Sequence, residues 1–359
     1  MLAKAPEDVR STLDELKEKF ELESASETGG NGYVVFAKNR ITRSRVALKF
    51  YYWGGDEDYH LEPMALQDVA GKTNRILAIY DAGLAGQEWA YFVTPFCEEG
   101  DLDRELAKGF RGINSALELV CDIAEGVAVL HVHGFIHRDL KPANIYSSEG
   151  RAIIGDFGSI ASIPKGQFSI KASQHALLYL PPESSKGGAY SKLGDIYQMG
   201  LILYQFLGGR LPYLETEWLT LAQRGKYDEL PYPNNTIFAS DCIRSLIEKG
   251  KIADPSTMHP CVSNRLCRIV KRATHKEPQK RYQTAHEFLT ALADARQEER
   301  DWAMLNGYLT LTDRTSFRTK LELPASVEKR RSGGWRKDSS FHCTTLKELI
   351  ADIESRPQN

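Results

Sequence analysis

Cysteine is scarce in this 359-residue chain. There are six (Cys97, Cys121, Cys242, Cys261, Cys267 and Cys343), with no C-x-x-C pair and no histidines at matching spacing. That pattern excludes a disulfide framework and a zinc knuckle, and predicts reduced thiols in the cytoplasm. A surplus of one charge is also missing, since 46 Lys and Arg stand against 48 Asp and Glu. The balance argues against a dedicated nucleic-acid binder, which needs a basic excess. Long apolar runs are absent too. The longest, "MGLILYQFL" from Met199 to Leu207, is far short of the ~20 residues of a membrane helix, so no membrane span is expected. The opening "MLAKAPEDVR" is followed by no apolar segment, so no secretory leader is expected. What is present is the composition of an ordinary folded protein, 42% hydrophobic and 26% charged. The length suits two domains, or one bilobed unit plus an extension.

Along the chain the texture changes. Residues 8–21, "DVRSTLDELKEKFE", have apolar side chains at helical spacing and predict a helix in an N-terminal extension, residues 1–21. Residues 22–97 are short β-rich runs, "GYVVFAK", "RVALKFYY", "RILAIYDAG" and "EWAYFVTPF", interrupted by one helical stretch, "DEDYHLEPMALQDVAG". Residues 98–296 are dominated by long amphipathic patterns such as "SALELVCDIAEGVAVLHVHG", "GDIYQMGLILYQFLGG", "SNRLCRIVKRATH" and "AHEFLTALADARQEE". The expectation is α+β and bilobal, with a hinge near Glu98–Gly100. Within the helical part, Tyr227–Pro260 is rich in Pro, Asn and Ser and reads as loops with one short helix. Residues 297–359 form a tail with a strand-like "GYLTLTD", a basic "EKRRSGGWRK" that reads as a solvated linker, and a helical "TTLKELIADIE". The tail is a candidate to dock on a partner or on the rest of the chain.

Four stretches carry chemistry. In "ETGGNGYVVFAK", Glu27 to Lys38, glycines between two β-runs let backbone N–H groups approach phosphate oxygens, although a plain hairpin turn has the same look. "VALK" ends an apolar strand in Lys49, which can neutralise phosphates if a carboxylate holds it. Glu62 is the candidate partner, and the adjacent Pro63 places it in the first turn of its helix. "HGFIHRDLKPANIY" packs Arg138, Asp139, Lys141 and Asn144 into one turn, and "IIGDFGSI" ends a strand in Asp156. Asn144 and Asp156 offer hard oxygens to Mg²⁺, which takes few protein carboxylates plus phosphate oxygens. Asp139 is then left to accept the proton of an attacking hydroxyl, beside Lys141 for the charge that develops.

With "ETGGNGYV", "VALK", "HRDLKPAN" and "DFG" in that order, the chain resembles the eukaryotic-type protein kinase family over about residues 22–296. "YLPPE", "GDIYQMG" and "EPQKRYQTAHEFL" extend the resemblance. It implies a serine/threonine protein kinase that uses ATP and Mg²⁺, with Mn²⁺ as a substitute, and acts on protein substrates. By the same resemblance the nucleotide would meet Glu27, Gly29, Gly30, Gly32, Val34, Ala47, Lys49 and Thr94, with hinge contacts from Phe96 and Cys97. Glu183 would pair with Arg281, and Asp195 would be the buried aspartate of the fold. Arg138 before the catalytic aspartate implies a phosphate-ordered activation segment, for which Ser173 and then Ser169 are the candidate sites.

Three departures stand out. Glu27 replaces the loop's first glycine, Pro181 the alanine of A-P-E, and Ala176 a threonine that would bond the catalytic aspartate and lysine. Ala176 keeps open a second reading, a nucleotide-binding scaffold without catalysis. A small-molecule kinase is a third, against which Lys141-Pro142 and the P-P-E motif count.

Overall fold

Alternating side chains in "GYVVFAKN" and "RVALKFYY" give each strand one apolar and one polar face. In the computed structural model, helix α1 (Glu7–Leu16) precedes strands β1 (Phe20–Thr28), β2 (Gly32–Asn39) and β3 (Arg45–Tyr52). Helix α2 (Leu61–Val69) leads to β4 (Asp81–Ala85) and β5 (Trp89–Pro95). The structure describes every residue except 1, 3, 4, 29–31, 57–59, 70, 165, 166, 168, 172–176, 186, 187, 313, 314, 323, 324, 332, 333 and 357–359. The five strands form one antiparallel sheet ordered β1-β2-β3-β5-β4. Val35, Ala37, Val46, Leu48 and Phe50 close an apolar cluster with Val9, Leu13 and Leu16 of α1. The register Val34↔Lys49, Phe36↔Ala47 and Ala47↔Thr94 sets Val34, Ala47, Lys49 and Thr94 on the other face. "RILAIYDAG" contributes only its end to β4, and α2 is shorter than the helical pattern read for it.

The second lobe is helical, and the fold is α+β as expected. It comprises α3 (Leu102–Leu106), α4 (Ile113–Val132), the short strands β6 (Phe135–Ile136), β7 (Ile145–Ser148), β8 (Arg151–Ile154), β9 (Ala161–Ser162), β10 (Ile170–Lys171) and β11 (Ala189–Tyr190), then α5 (Lys192–Phe206). Residues 194–204 of α5 are all buried, as suits a helix at the centre of a lobe. Leu66 and Val69 of α2 join the apolar core of this lobe, so the helix bearing Glu62 is packed against both lobes. The loops expected over 227–260 are a correction: α6 (Leu221–Glu229) and α7 (Asn234–Glu248) fill most of that span. Pro231 and Pro233 precede α7 rather than interrupt it, and Ala239, Ile243 and Ile247 supply a buried stripe four residues apart. Helices α8 (Asn264–Ala273) and α9 (Ala285–Glu298) complete the lobe.

The tail is structured. Strands β12 (Trp302–Leu305), β13 (Tyr308–Leu311), β14 (Phe317–Thr319), β15 (Val327–Arg331) and β16 (Gly334–Asp338) form an antiparallel meander, followed by α10 (Leu346–Ser355). The basic stretch read as a solvated linker is therefore a pair of strands, with Arg330 opposite Trp335. Its cations lie over aromatic rings, Lys329 Nζ 5.6 Å from the Phe317 ring and the Arg330 guanidinium 6.0 Å from Trp335, and Arg318 of β14 packs 4.5 Å from the same Trp335 ring. Trp302, Leu309, Phe317, Val327, Leu349 and Ile353 share one apolar cluster with Leu266, Leu292 and Ala295 of the helical lobe. Met304 N–H donates to Arg111 C=O at 3.0 Å, and Trp302 Nε1 to Glu354 at 2.8 Å.

Candidate active site

The cleft between the lobes starts at the hairpin of β1 and β2, closed by the Thr28–Gly32 pair. Gly29 and Gly30 lie outside the described residues, as does the Glu27 side chain, while Gly32 opens β2. Thr94 is buried, with Oγ1 3.5 Å from Ala47 C=O. Beyond β5, Phe96 N–H donates to Arg45 C=O at 3.2 Å, and the buried Cys97 closes a turn by accepting from Gly100 N–H. Burial pushes the Cys97 thiol up to about 11, so it stays protonated at neutral pH.

Lys49 links three elements. Its ammonium donates to Glu62 at 2.8 and 3.1 Å and to Asp156 at 3.0 Å. Burial alone would lower its proton affinity, but the Glu62 and Asp156 carboxylates outweigh that and the net shift is upward. Asp156 has the mirror balance. Burial raises it, Lys49 outweighs burial, and the carboxyl sits below its ordinary value. Glu62 lies in the first turn of α2, where Pro63 needs no intrahelical donor, and also accepts Phe157 N–H at 3.1 Å. Phe157 is fully buried against His137, with ring centroids 4.9 Å apart.

The turn after β6 is held from beneath. The fully buried Asp195 accepts His137 N–H at 3.0 Å, Arg138 N–H at 2.9 Å and Tyr190 O–H at 2.9 Å, and pairs with His131 at 2.8 Å. Burial raises the Asp195 carboxyl, yet His131 and these donors carry it below its ordinary value. His137 Nδ1 accepts from Asp139 N–H at 3.3 Å, which assigns the ring hydrogen to Nε2, 3.1 Å from Gly155 C=O. Asp139 Oδ2 accepts from Lys141 at 2.7 Å and from Asn144 at 2.8 Å, whereas its Oδ1 is buried without a partner. Asn144 Nδ2 also reaches Asp139 C=O at 2.8 Å, so both its hydrogens are spent and its Oδ1 is the atom left for a cation. Gly155 N–H donates to Asn144 C=O at 3.0 Å and ties that amide to the strand end bearing Asp156.

Among the described residues, no three His, Cys, Asp or Glu side chains gather into a metal cage. A donor set of one carboxylate and one amide fits an ion that takes its other ligands from phosphate and water. Beside Lys141 opens a cavity of about 380 Å³ walled by Leu177, Leu178, Tyr179 and Tyr213, with room for an acceptor side chain.

In the segment after Asp156, Arg138 Nε donates to Ser159 C=O at 2.5 Å. Burial pulls the Arg138 guanidinium below its ordinary value, and no carboxylate pairs with it among the described residues. Ser169 is half-buried just before β10, while Ser173 and Ala176 fall outside the described residues. Glu183 and Arg281 form a bidentate pair at 2.8 and 2.6 Å. One cleft residue escaped the sequence reading, Tyr146. The charges of Asp156 and Lys49 both reach its phenol, and burial pushes it up to about 12. A Cβ on Gly155 would lie 2.4 Å from its ring, so the glycine before Asp156 makes room for Tyr146. That pairing of aromatic and glycine was the available signal.

Comparison with known proteins agrees with this geometry. A family model described as protein kinase domain matches residues 25–292. Serine/threonine-protein kinase PknB of Mycolicibacterium smegmatis is 27% identical over 290 residues, 77% of this chain and 43% of its own length. Serine/threonine-protein kinase pkn2 of Myxococcus xanthus is 30% identical over 75% of this chain and 31% of its own. Serine/threonine-protein kinase H1 of Mus musculus is 29% identical over 64% of this chain and 57% of its own. The chain thus spans less than half the length of the bacterial relatives named.

Proposed function

This chain belongs to the protein kinase family, and we propose that it is a serine/threonine protein kinase, moving the γ-phosphoryl group of ATP onto protein hydroxyls. Membership implies ATP and a divalent metal ion, which we read as Mg²⁺ with Mn²⁺ able to replace it. One observation carries the reading: Asp139 keeps Oδ1 buried and free while Lys141 and Asn144 occupy Oδ2. A carboxylate fixed at one oxygen and open at the other is suited to orient a hydroxyl and take its proton. Lys141 then neutralises charge on the transferring group, and Lys49, locked by Glu62, orients the phosphates. Asp156 and Asn144 would hold the metal, which offsets charge between phosphate oxygens.

The adenine would lie between Val34, Ala47 and Thr94 with Phe96–Cys97 at its edge, and the loop of Glu27, Gly29, Gly30 and Gly32 would cover the phosphates. We read residues 22–296 as the catalytic domain, divided at Cys97, with residues 1–21 and 297–359 as appended units. The contacts of Trp302 and Met304 with the helical lobe favour a tail that braces the kinase itself. Arg138, which pairs with no carboxylate among the described residues, supports control by phosphate on Ser173 or Ser169. Among the described residues no helix is long and apolar enough to cross a membrane. With six free cysteines, we assign the activity to the cytoplasm.

Phosphatase-treated protein incubated with Mg-ATP should gain phosphate by intact mass, mapping to Ser169 or Ser173. Asp139→Asn should bind ATP yet transfer ~10²- to 10⁴-fold more slowly. No transfer to itself or to a generic Ser/Thr protein, despite ATP binding, would overturn the reading in favour of a scaffold.

A further inference from the structure

Gln198 lies on α5, three residues after Asp195, and is 1% exposed. Its amide meets four polar partners. Oε1 accepts from Leu140 N–H at 2.9 Å and lies 2.9 Å from the Tyr190 hydroxyl, whose one hydrogen it shares with Asp195. Nε2 donates to Arg138 C=O at 3.0 Å and to Tyr179 C=O at 3.2 Å. A fully buried amide gains little over an apolar side chain of equal size, because its desolvation cancels most of what its bonds return. An apolar side chain here would strand Leu140 N–H and the carbonyls of Arg138 and Tyr179, so stability favours a polar group but does not say why it is these groups that are joined.

What the four partners share does. Two belong to the residues on either side of Asp139, and a third to the wall of the cavity beside Lys141. Asp139 Oδ1 has no partner of its own, so its direction depends on the two bonds to Oδ2 and on how firmly the peptide units of residues 138–140 are held. Asp195 holds the N–H groups of His137 and Arg138, but neither Arg138 C=O nor Leu140 N–H.

We propose that Gln198 is a positioning residue for phosphotransfer, clamping the peptides that flank Asp139 to the Tyr179 segment. The distance between the base and a hydroxyl seated against Tyr179 is then set by one side chain. This rests on the kinase reading above.

The test compares Gln198→Met and the isosteric Gln198→Glu with wild type, measuring kcat on a Ser/Thr peptide, ATP binding, and hydrogen exchange of Leu140 N–H. Glutamate keeps the shape but loses both donations from Nε2. In each variant kcat should fall about 10- to 100-fold, the scale of an ångström-sized misplacement, while ATP affinity stays within about twofold. Leu140 N–H should exchange faster while amides of α5 remain protected. Unchanged kcat in either variant would overturn the proposal. So would a loss of kcat matched by lost ATP binding and lost α5 protection, including outright unfolding of both variants, since Gln198 would then serve the core and not the loop. An inactive wild type would sink the kinase reading instead, and the Leu140 exchange would still decide whether the clamp exists.

Discussion

Replacing Arg281 with methionine removes a guanidinium that has no exposed side-chain surface and leaves its partner behind. In the intact chain Nη1 and Nη2 hold Glu183 at 2.8 and 2.6 Å, Nε donates to His275 C=O at 2.7 Å, and Nη1 also reaches Leu193 C=O at 2.8 Å. Methionine fills much of the space but supplies no donor. The Glu183 side chain, 20% exposed, would keep a charge with little water to solvate it. Removing one partner of a buried ion pair costs ~3–5 kcal/mol, and the two stranded carbonyls belong to that same loss. Each kcal/mol moves the unfolding midpoint of a chain this size by ~2–4 °C, so calorimetry should show a drop of about 6–20 °C. Adding Glu183→Met removes the stranded charge and should recover about half of the drop or more. A drop below about 2 °C in the single variant would refute the reasoning, because Glu183 would then be solvated without its partner.

Two further outcomes follow from the same kind of accounting. Asp156 titrates below its ordinary 3.8 in the folded chain, so its contribution to stability is complete above the unfolded value and is lost as pH falls through the folded one. The wild-type unfolding midpoint should therefore decline more steeply than that of Asp156→Asn as pH drops below about 4, and parallel curves would contradict the Lys49 pairing. Trp302 is fully buried where the tail meets the helical lobe. Trp302→Ala should cost ~3–5 kcal/mol and expose residues 297–301 to limited proteolysis; a tail that stays resistant would mean other contacts hold it.

The site was legible because its chemistry is compressed into short runs. Asp139, Lys141 and Asn144 fall within six residues, and a two-residue period placed Lys49 on a strand. Glu62, in the helix after Lys49, was legible as its partner, whereas Asp156, 107 residues from Lys49, joined them only in the structure. The failures have physical causes. In α7 the prolines that suggested loops lie ahead of the helix and Asn234 and Asn235 form its first turn, while the stripe of Ala239, Ile243 and Ile247 was diluted by polar neighbours. In β15, Lys329 and Arg330 occupy strand positions with their cationic groups over the rings of Phe317 and Trp335, which a hydrophobicity pattern does not register. Tyr146 was missed because its role depends on the absence of a side chain at Gly155.

The backbone explains why the turn around Asp139 needs so much support. Arg138 and Asp156 adopt φ of 70° and 49°, a left-handed region that costs a residue with a Cβ ~1–3 kcal/mol. Arg138 owes its conformation to Asp195, whose carboxylate takes the N–H groups of both His137 and Arg138. Bonds of this kind to a charged acceptor contribute ~1.5–3 kcal/mol each, so two of them exceed the strain at Arg138. Asp156 has no such acceptor beneath it. Its strain is opposed by the ion pair with Lys49, at 3.0 Å, and by Glu62 holding Phe157 N–H one residue on. The two strained residues are therefore held unequally. Asp195 is buried in the helical lobe, so the turn bearing Asp139 is held from within that lobe. The hold on Asp156 runs through Lys49 on β3 and Glu62 on α2. In this arrangement the carboxylate proposed as base is anchored within the helical lobe, and the one proposed as metal ligand is anchored by side chains of β3 and α2.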